Sequence, residues 1–272
     1  MGIFSVKNEY PDFSLITVNF QSAVSLGRML RSLPADFLAK GEVIIVNNDP
    51  NESALLSRMF AQESKVRIIE MRRNVGFAQA CNQGAQQARS ERLIFLNPDI
   101  VYAVGSLEAW LAVLDQYPLS IVAPLLLKNG KIEPWSSGGI IHPVRILLQN
   151  LFPVPVFWSW HDRKRLGWVS GAALALRKGD FQKLHGFDEA YFLYYEDADL
   201  CRRAQQRGIA IRQVRHVRLT HRGGMSHSCA SQQKQAYFRS QDLYIRQYYG
   251  WAWAFLFRCL RRLHPAYWFD IC

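Results

Sequence analysis

Three carboxylates, Glu196, Asp197 and Asp199, lie within four residues of one another at the start of a predicted helix. They follow an aromatic run that ends at Tyr195, and the apolar spacing up to Gly208 is typical of a short amphipathic helix. Crowding and partial burial raise the pKa of a carboxylate, which is what a general base needs. Acidic residues in a first turn are also favoured by the positive end of a helix, so capping alone is an alternative interpretation.

A second polar cluster, Asn97-Pro98-Asp99, follows a predicted strand. Pro98 removes a backbone donor and stiffens the turn, which leaves Asp99 exposed just past the strand. One carboxylate can hold a divalent metal if substrate phosphates fill the other coordination positions. An Asx-turn is the alternative interpretation of this tripeptide. His221, at the end of a later predicted strand, could be a ligand, a base or a structural histidine.

Strands and helices that could position these groups alternate along the first half of the chain. The predicted strands cover residues 14–20, 42–47, 66–70 and 92–97, and the predicted helices cover 25–33, 52–64 and 77–89. The strands are almost continuously apolar, which predicts an α/β fold with a mostly parallel twisted sheet and helices on both faces. In such sheets ligands bind outside the carboxyl ends of the strands, where Asn19, Asn47, Asn48 and Asp99 then lie.

The second half of the chain continues the α/β pattern. Predicted elements are a helix at 104–117, a strand at 120–127, a strand at 167–177, a helix at 179–184 and strands at 209–214 and 217–221. The proline-rich and aromatic stretch 134–161 is an excursion that covers a cleft or touches an apolar ligand, or else an ordinary core-packing loop. The small residues Ser170, Gly171 and Ala172 permit close approach of a ligand or of another backbone segment.

Length and composition exclude several protein classes. The chain has 272 residues, of which 49% are hydrophobic, enough for a full core in one large domain or two fused lobes. It has no apolar run of about twenty residues and no signal-peptide pattern, so we expect no transmembrane helix. Five scattered cysteines, never spaced C-x-x-C, indicate reduced thiols in a cytosolic protein. The glycine-rich phosphate motifs of dinucleotide-binding and P-loop proteins are absent.

The net charge of +11 comes from the C-terminal part of the sequence. Between Arg202 and Arg262, thirteen Lys and Arg residues accompany one acidic residue, Asp242. Such an excess indicates a polyanionic partner: nucleic acid, anionic lipid or a diphosphate. No nucleic-acid-binding motif is present, so we expect no nucleic acid partner. Predicted helices at 232–249 and 251–263 combine aromatic residues with arginines, which suits a membrane interface, with packing on the core as the alternative.

Taken together, the motifs resemble the inverting family 2 glycosyltransferases with a GT-A fold, especially the bacterial rhamnosyltransferase-like branch. The resemblance extends from about Ser14 to Gly250. The motifs that carry it are Thr17-Val-Asn-Phe20, Val46-Asn-Asn48, Asn74-Val-Gly-Phe-Ala78 with Asn82 and Gly84, Leu96-Asn-Pro-Asp99, Trp168 with Ser170-Gly-Ala172, Gly186-Phe-Asp-Glu189, Glu196-Asp-Ala-Asp-Leu200 and His221-Arg-Gly-Gly-Met-Ser226.

The resemblance implies a role for each of these positions. Asp197 matches the catalytic base, and Glu196 is positioned to bind the acceptor. Asp99 and His221 would hold a divalent metal, Mg²⁺ or Mn²⁺. The implied nucleotide-sugar-binding residues are Val18, Asn19, Asn47, Asn48, Asn74, Gly76, Asn82, Asn97 and Arg222. The implied acceptor-binding residues are Trp168, Gly171, Ala172 and Glu196.

Two positions depart from the family pattern. The family often has Asp where this chain has Asn47, and Asn97 replaces the first Asp of the metal-binding D-x-D element. Arg222 and Ser226 would lie on a loop that closes over the diphosphate of the donor.

The function implied by the resemblance is transfer of a sugar, such as rhamnose, from a nucleotide-sugar to a hydroxyl of a membrane-borne glycan or lipid-linked precursor for cell-surface polysaccharide. We expect a cytoplasmic enzyme that is peripheral at the inner face of the membrane and contacts an anionic lipid surface. Residues 1–127 would bind the nucleotide-sugar, 128–229 would hold the acceptor and catalytic residues, and 230–272 would form a basic, aromatic, helical membrane-proximal extension. The alternatives are a nucleotidyltransferase and a noncatalytic protein that binds anionic surfaces.

Overall fold

One mixed sheet forms the centre of the protein, which a computed structural model describes over residues 10–151, 166–222 and 230–263. Its strands are β1 (Ser14–Asn19), β2 (Glu42–Asn47), β3 (Val66–Glu70), β4 (Arg92–Leu96), β5 (Ile100–Val104), β6 (Ser120–Lys128), β7 (Lys131–Ile132), β10 (Ala173–Arg177) and β11 (Ala210–His221). A separate ribbon pairs β8 (Ser137–Gly138) with β9 (Trp168–Val169). The order across the large sheet is β3-β2-β1-β4-β10-β6-β11-β5, and β7 pairs with β6.

Helices cover both faces of this sheet. They are α1 (Ala23–Ser32), α2 (Ala35–Leu38), α3 (Ser53–Met59), α4 (Phe77–Gln87), α5 (Leu107–Gln116), α6 (Pro143–Leu151), α7 (Lys178–Lys183), α8 (Glu196–Gln206), α9 (Ala230–Tyr249) and α10 (Trp251–Leu263). Helices α1, α3 and α5 contribute to the core on one face, and α4, α7, α8, α9 and α10 contribute to the core on the other. Because both faces are covered, every residue of β1 and β2 is buried, as their apolar runs predict.

The strand directions bring several chain ends to one edge of the sheet, which we call the carboxyl edge. β1, β2, β4, β6 and β11 all run towards it, since β10 lies antiparallel to both β4 and β6. The first residue of β10, Ala173, pairs with Leu96 at the end of β4. At the end of β11, His221 pairs with Ile100 at the start of β5. The polar segments that follow β1, β2 and β4 in the sequence, and His221 at the end of β11, therefore lie at this edge.

Several predicted elements differ from the structure. The predicted helix at 104–117 begins only at Leu107, because Ser106 caps it by accepting from the Ala109 N–H at 3.0 Å, and β5 precedes it. The predicted strand at 167–177 is two strands, β9 and β10, separated by a turn of small residues. The two predicted strands at 209–221 form one strand, β11, in which an irregularity between Val214 and Arg218 shifts the register. Residues 152–161 of the predicted excursion, and Ser226, lie outside the described residues.

Helix α10 packs on the core through one side only. Ala254 and Phe257 are 2% and 1% exposed, whereas Trp251 and Phe255 are 65% and 69% exposed. Core packing, one of the two interpretations of this segment, thus holds for one side of the helix, and the opposite side faces outwards. Among the helices described, none has the length and apolar character needed to cross a bilayer.

The packing of α10 can be tested by removing one aromatic ring at a time. Phe257→Ala is expected to lower the free energy of unfolding by about 3–5 kcal/mol, because the buried ring leaves a cavity. Phe255→Ala removes the same atoms from the exposed side and should change stability by no more than about 0.5 kcal/mol. Urea denaturation of both variants measures the difference. An equal decrease in the free energy of unfolding in both variants would show that α10 does not pack on the core through Phe257.

Candidate functional site

The turn that precedes α8 has an unusual backbone. Tyr194 and Tyr195 have φ angles of 70° and 68°, in the left-handed region that residues other than glycine seldom adopt. Such conformations cost roughly 1–3 kcal/mol each, persist only where the surroundings impose them, and concentrate at functional sites. This turn sets the start of α8 and therefore the directions of Glu196 and Asp197.

Backbone N–H groups hold the Asp197 carboxylate from two sides. The Gly171 N–H donates to Oδ2 at 2.8 Å, and the Ala198 N–H donates to Oδ1 at 2.7 Å. A Cβ on Gly171 would stand 3.4 Å from the Asp197 Cβ, so the two segments are in direct contact. Burial raises the pKa of Asp197, and the hydrogen bonds from the N–H groups offset part of that rise. A fixed carboxylate with a raised pKa suits a general base that works near neutral pH.

Glu196 lies deeper than Asp197. It is 5% exposed, and its Oε2 has no hydrogen-bond partner within the described part of the chain. Burial, and secondarily the charge of Asp197, raise the pKa of Glu196 well above its usual range. In its protonated form a buried acid of this kind can donate a hydrogen bond. The pair thus combines one carboxylate suited to accept a proton with one acid suited to bind an oxygen atom.

Asp199, the third carboxylate of the cluster, has a structural role. It is fully buried, with Oδ2 at 2.6 Å from Arg203 Nη2, and Oδ1 accepts from the Tyr248 hydroxyl at 2.6 Å. Arg203 also donates to the Gly186 carbonyl at 3.0 Å. The three acidic residues therefore divide into a pair with raised pKa values, Glu196 and Asp197, and an internal anchor for α8.

Asp99 and His221 meet at the carboxyl edge. His221 Nε2 lies 3.4 Å from Asp99 Oδ2, and His221 Nδ1 lies 3.0 and 2.9 Å from the two carboxylate oxygens of Glu133. Burial lowers the pKa of His221, but the hydrogen bonds with Asp99 and Glu133 outweigh burial and raise the pKa to about 10. The other Asp99 oxygen, Oδ1, is buried and has no hydrogen-bond partner among the described residues.

This pair fits a divalent cation that also binds a substrate if the cation displaces a proton from His221, because only a neutral imidazole ligates a metal. Carboxylate oxygen and imidazole nitrogen are ligands that Mn²⁺ accepts, and Asp99 Oδ1 is a buried oxygen without a partner. Over residues 10–151, 166–222 and 230–263, no group of three or more His, Cys, Asp and Glu residues is arranged to hold a metal by itself. The chain thus offers two protein ligands, and phosphate oxygens of a substrate would have to supply others.

Glu133 is a residue that the sequence analysis missed. Its side chain is almost fully buried and contacts His221 across 88 positions of sequence. A histidine that binds a metal through one ring nitrogen commonly donates its other N–H to a carboxylate, which fixes the tautomer and the ring orientation. Nothing local marks this glutamate, because it follows a short hairpin and precedes a single 3-10 turn at Pro134–Ser136.

A short backbone path joins the Asp99 turn to the Asp197 helix. The Asn97 N–H donates to the Ala172 carbonyl at 2.8 Å. The neighbouring residue, Gly171, holds the Asp197 carboxylate. Since both bonds come from the turn between β9 and β10, that turn fixes the positions of Asp99 and Asp197 relative to each other. The structure therefore brings the proposed base and the proposed metal ligands to the same edge of the sheet.

The strand-end asparagines lie at this edge, as predicted, but their amides are engaged within the protein. Asn19 Nδ2 donates to Asn47 Oδ1 at 3.0 Å, and Asn47 Nδ2 donates to Glu70 Oε2 at 2.8 Å. Asn48 Nδ2 donates to Asn74 Oδ1 at 2.9 Å. These side chains build the loops at the edge, and their contacts with a nucleotide stay a prediction.

Asn82 and Gly76 connect α4 with the segment that leads into α8. The Asn82 amide donates to the Phe187 carbonyl and accepts from the Phe187 N–H, both at 2.9 Å. Gly76 has a φ of 88°, and a Cβ there would stand 2.5 Å from the Phe192 carbonyl oxygen. Both positions fix the segment that leads into the turn before α8. Their contacts with a donor stay a prediction.

The remaining predicted residues have different surroundings. Trp168 packs in the core at 7% exposure, and Ala172 is also buried. Val18 is buried near the end of β1. Arg222 is exposed, and its N–H donates to the Asp99 carbonyl at 3.1 Å. Their roles towards acceptor or donor stay predictions.

Comparison with known protein families identifies the chain. The sequence model described as Glycosyl transferase family 2 matches residues 14–153, more than half of the sequence. The chain belongs to glycosyl transferase family 2. A second model, described as the N-terminal domain of galactosyltransferase, matches residues 157–228, which include α8 and His221. The predicted glycosyltransferase activity is thereby confirmed, and neither the nucleotidyltransferase nor the noncatalytic alternative is favoured.

Two curated relatives support the rhamnosyltransferase-like branch of the family. The N-acetylglucosaminyl-diphospho-decaprenol L-rhamnosyltransferase of Mycobacterium tuberculosis is 26% identical over 215 residues, covering 68% of this glycosyltransferase and 68% of the relative. The rhamnosyltransferase WbbL of Escherichia coli is 37% identical over 136 residues, covering 47% of this chain and 50% of the relative.

Solved structures confirm the predicted GT-A fold. GalNAc-T7 with UDP, GalNAc and Mn²⁺ has a TM-score of 0.61 at 16% identity, over 86% of this chain and 48% of the other. The mannosyltransferase PcManGT from Pyrobaculum calidifontis, in complex with GDP-Man and Mn²⁺, has a TM-score of 0.59 at 15% identity, over 96% of this chain and 72% of the other. This glycosyltransferase therefore spans about half of the GalNAc-T7 chain. At these identities the likeness shows the fold alone.

The burial of Glu196 predicts a pH-dependent cost in stability. Because the folded state raises the pKa of Glu196, the folded chain binds this proton more tightly than the unfolded chain, and stability falls as pH rises above the ordinary range of a glutamate. Glu196→Gln carries no charge, so we expect it to raise the free energy of unfolding at neutral pH by about 1–3 kcal/mol.

Urea denaturation between about pH 4 and pH 8 measures this gain, which should shrink towards the acid end. Glu63→Gln, at an exposed glutamate, is the control and should change stability by no more than about 0.5 kcal/mol. A Glu196→Gln variant that is less stable than the unmodified chain at neutral pH would contradict the proposed cost.

Proposed function

We propose that this glycosyltransferase moves rhamnose, or another deoxyhexose, from a nucleotide-sugar to a hydroxyl of a lipid-linked glycan precursor, with inversion at the anomeric carbon. The relatives support the sugar and the acceptor class, since one is an L-rhamnosyltransferase of N-acetylglucosaminyl-diphospho-decaprenol and the other a rhamnosyltransferase. The proposal depends on one observation: Gly171 holds Asp197 at the edge where Asp99 and His221 meet. The product would serve cell-surface polysaccharide synthesis.

The donor would lie along the carboxyl edge, over the ends of β1, β2 and β4. Departure of a nucleoside diphosphate requires groups that stabilise negative charge as it develops. Asp99 and His221 would hold a divalent metal, which when bound acts as a Lewis acid towards phosphate oxygens. The Mn²⁺ in two structures of the same fold supports this assignment. Arg222, next to Asp99 through its backbone, would add a positive charge.

Asp197 would accept the proton of the acceptor hydroxyl as that oxygen attacks the anomeric carbon. Its raised pKa keeps the carboxylate basic, and its two N–H donors fix its direction. Attack from the side opposite the departing diphosphate is a single displacement, which inverts the configuration. Burial raises the pKa of Glu196 and so favours its protonated form, which would donate a hydrogen bond to the acceptor.

Replacing the base tests the proposed reaction. Asp197→Asn keeps the size of the side chain but cannot accept the proton, so we expect kcat to fall by about 10²–10⁴-fold with little change in the KM of the donor. The assay follows transfer from a rhamnose nucleotide donor to a lipid-diphosphate N-acetylglucosamine acceptor, with product masses as readout. Asp180→Asn, at another buried carboxylate near the start of a helix, is the matched control and should leave kcat unchanged. Equal rates for Asp197→Asn and the unmodified chain would end the assignment of Asp197 as base.

We further propose that the outer side of α10 rests on the anionic, cytoplasmic face of the membrane that carries the acceptor. Trp251, Phe255 and Leu256 are exposed apolar residues on this side. The Arg246 guanidinium lies 4.9 Å from the centre of the Trp251 ring, and Arg258 is more than half exposed. Aromatic rings beside arginines are favoured where a helix lies at the boundary between lipid and water. Attraction of the basic region to anionic lipid would add to this contact.

Vesicle binding tests this orientation. Trp251→Ala combined with Phe255→Ala should weaken cosedimentation with vesicles of anionic phospholipid by about tenfold or more, because less apolar surface enters the interface. Val24→Ala combined with Leu119→Ala removes equally exposed apolar side chains elsewhere and should leave binding unchanged. The proposal would be contradicted if both double variants weakened vesicle binding equally. It would also be contradicted if the unmodified chain bound neutral and anionic vesicles equally well.

A further inference from the structure

Helix α9 contacts the strained turn in front of the catalytic helix at three points. Ser240 Oγ donates to the Leu193 carbonyl at 2.7 Å. Gln241 Nε2 donates to the Tyr195 hydroxyl at 3.0 Å. The Tyr237 hydroxyl lies 3.2 Å from the same Tyr195 hydroxyl. One face of a helix from the C-terminal region therefore holds the turn by its backbone and by its side chain.

The turn needs such support. The left-handed angles of Tyr194 and Tyr195 carry a conformational cost, and a strained turn relaxes unless its surroundings impose the geometry. The supporting residues are well placed to do this, since Ser240 and Gln241 are 4% and 1% exposed and cannot exchange their partners for water. If the turn relaxed, the first turn of α8 would shift, and Asp197 would lose its alignment with Gly171.

A second group of contacts fixes the position of α9 itself. The Tyr248 hydroxyl donates to Asp199 at 2.6 Å, and the Tyr191 hydroxyl donates to Gln247 Oε1 at 3.0 Å. These contacts join the far end of α9 to α8 and to the segment before it. Helix α9 thus holds α8 on both sides of the Glu196–Asp197 pair.

The same network reaches α10. Arg261 Nη1 donates to Gln241 Oε1 at 3.1 Å, and Arg261 also pairs with Asp242. Both polar atoms of the Gln241 amide are therefore used, one towards α10 and the other towards Tyr195. A buried amide whose two ends are both satisfied has a defined orientation.

We propose that α9 is part of the catalytic architecture: Tyr237, Ser240 and Gln241 are positioning residues that hold the turn from Leu193 to Tyr195 and thereby aim Asp197. Arg261 on α10 fixes the orientation of Gln241. The inference rests on the proposed role of Asp197 as the base. It assigns to the C-terminal helices a function in catalysis besides any contact with lipid.

Two separate variants, each with a matched control, test the proposal. Ser240→Ala and Tyr237→Phe each remove one hydroxyl that supports the turn. Ser120→Ala and Tyr102→Phe remove equivalent hydroxyls, which donate to the carbonyls of Tyr117 and Gly105 far from the turn. Amide hydrogen exchange of residues 193–199, measured by mass spectrometry without substrate, should be about tenfold faster in each test variant and unchanged in the controls.

The kinetic expectation is a fall in kcat of about tenfold in Ser240→Ala and Tyr237→Phe, because a small displacement of a catalytic group is costly. The KM of the donor should stay within about twofold, since the donor edge is untouched. Unchanged exchange at residues 193–199 in the test variants would show that α9 does not support the turn. Faster exchange with unchanged kcat would show that this support does not position Asp197. Hydrogen exchange can be measured whether or not the protein transfers sugar. An inactive unmodified chain would therefore count against the proposed function, and the exchange rates would still decide whether α9 supports the turn.

Discussion

The hydrogen bond from the Gly171 N–H to the Asp197 carboxylate is the interaction on which the candidate site depends. It joins the small-residue turn between β9 and β10 to the first turn of α8. The same small-residue turn binds Asn97 through the Ala172 carbonyl and so fixes the segment that carries Asp99. A Cβ on Gly171 would stand 3.4 Å from the Asp197 Cβ, at ordinary van der Waals distance, so the two segments pack directly against each other. The proposed base and the proposed metal ligands therefore take their relative positions from one short stretch of backbone.

The acidic residues of the site acquire different properties from their surroundings. Burial raises the pKa of Glu196, whose Oε2 has no hydrogen-bond partner among the described residues, while Arg203 and Tyr248 satisfy the carboxylate of Asp199. In Asp197, N–H donors oppose the effect of burial on the pKa. Carboxylates of one helical turn can thus serve as acid, base and structural anchor, because environment rather than residue type sets their protonation.

Much of the fold could be predicted from the sequence because the sheet is covered on both faces. The apolar runs predicted β1 to β4 with nearly the observed bounds. The sequence did not predict β5 or the break between β9 and β10, because the local pattern there is weak. Asp197 stood out by its acidic neighbours, and the pairing of Asp99 with His221 came from the family resemblance. Glu133 and Gln241 could not be found from sequence, because their partners lie 88 and 46 positions away. The sequence predicted that the amides of Asn19 and Asn47 bind a ligand, but in the structure they form hydrogen bonds within the protein.

In the proposed reaction, one edge of the sheet holds the leaving group and the base on opposite sides of the sugar. A crystal structure with Mn²⁺ and an intact rhamnose nucleotide donor tests it most directly. We expect the diphosphate and the cation to lie beside Asp99 and His221. We expect the Asp197 carboxylate to face the anomeric carbon from the side away from the diphosphate. A donor bound away from the carboxyl edge, or an Asp197 carboxylate on the same side of the sugar as the diphosphate, would contradict it.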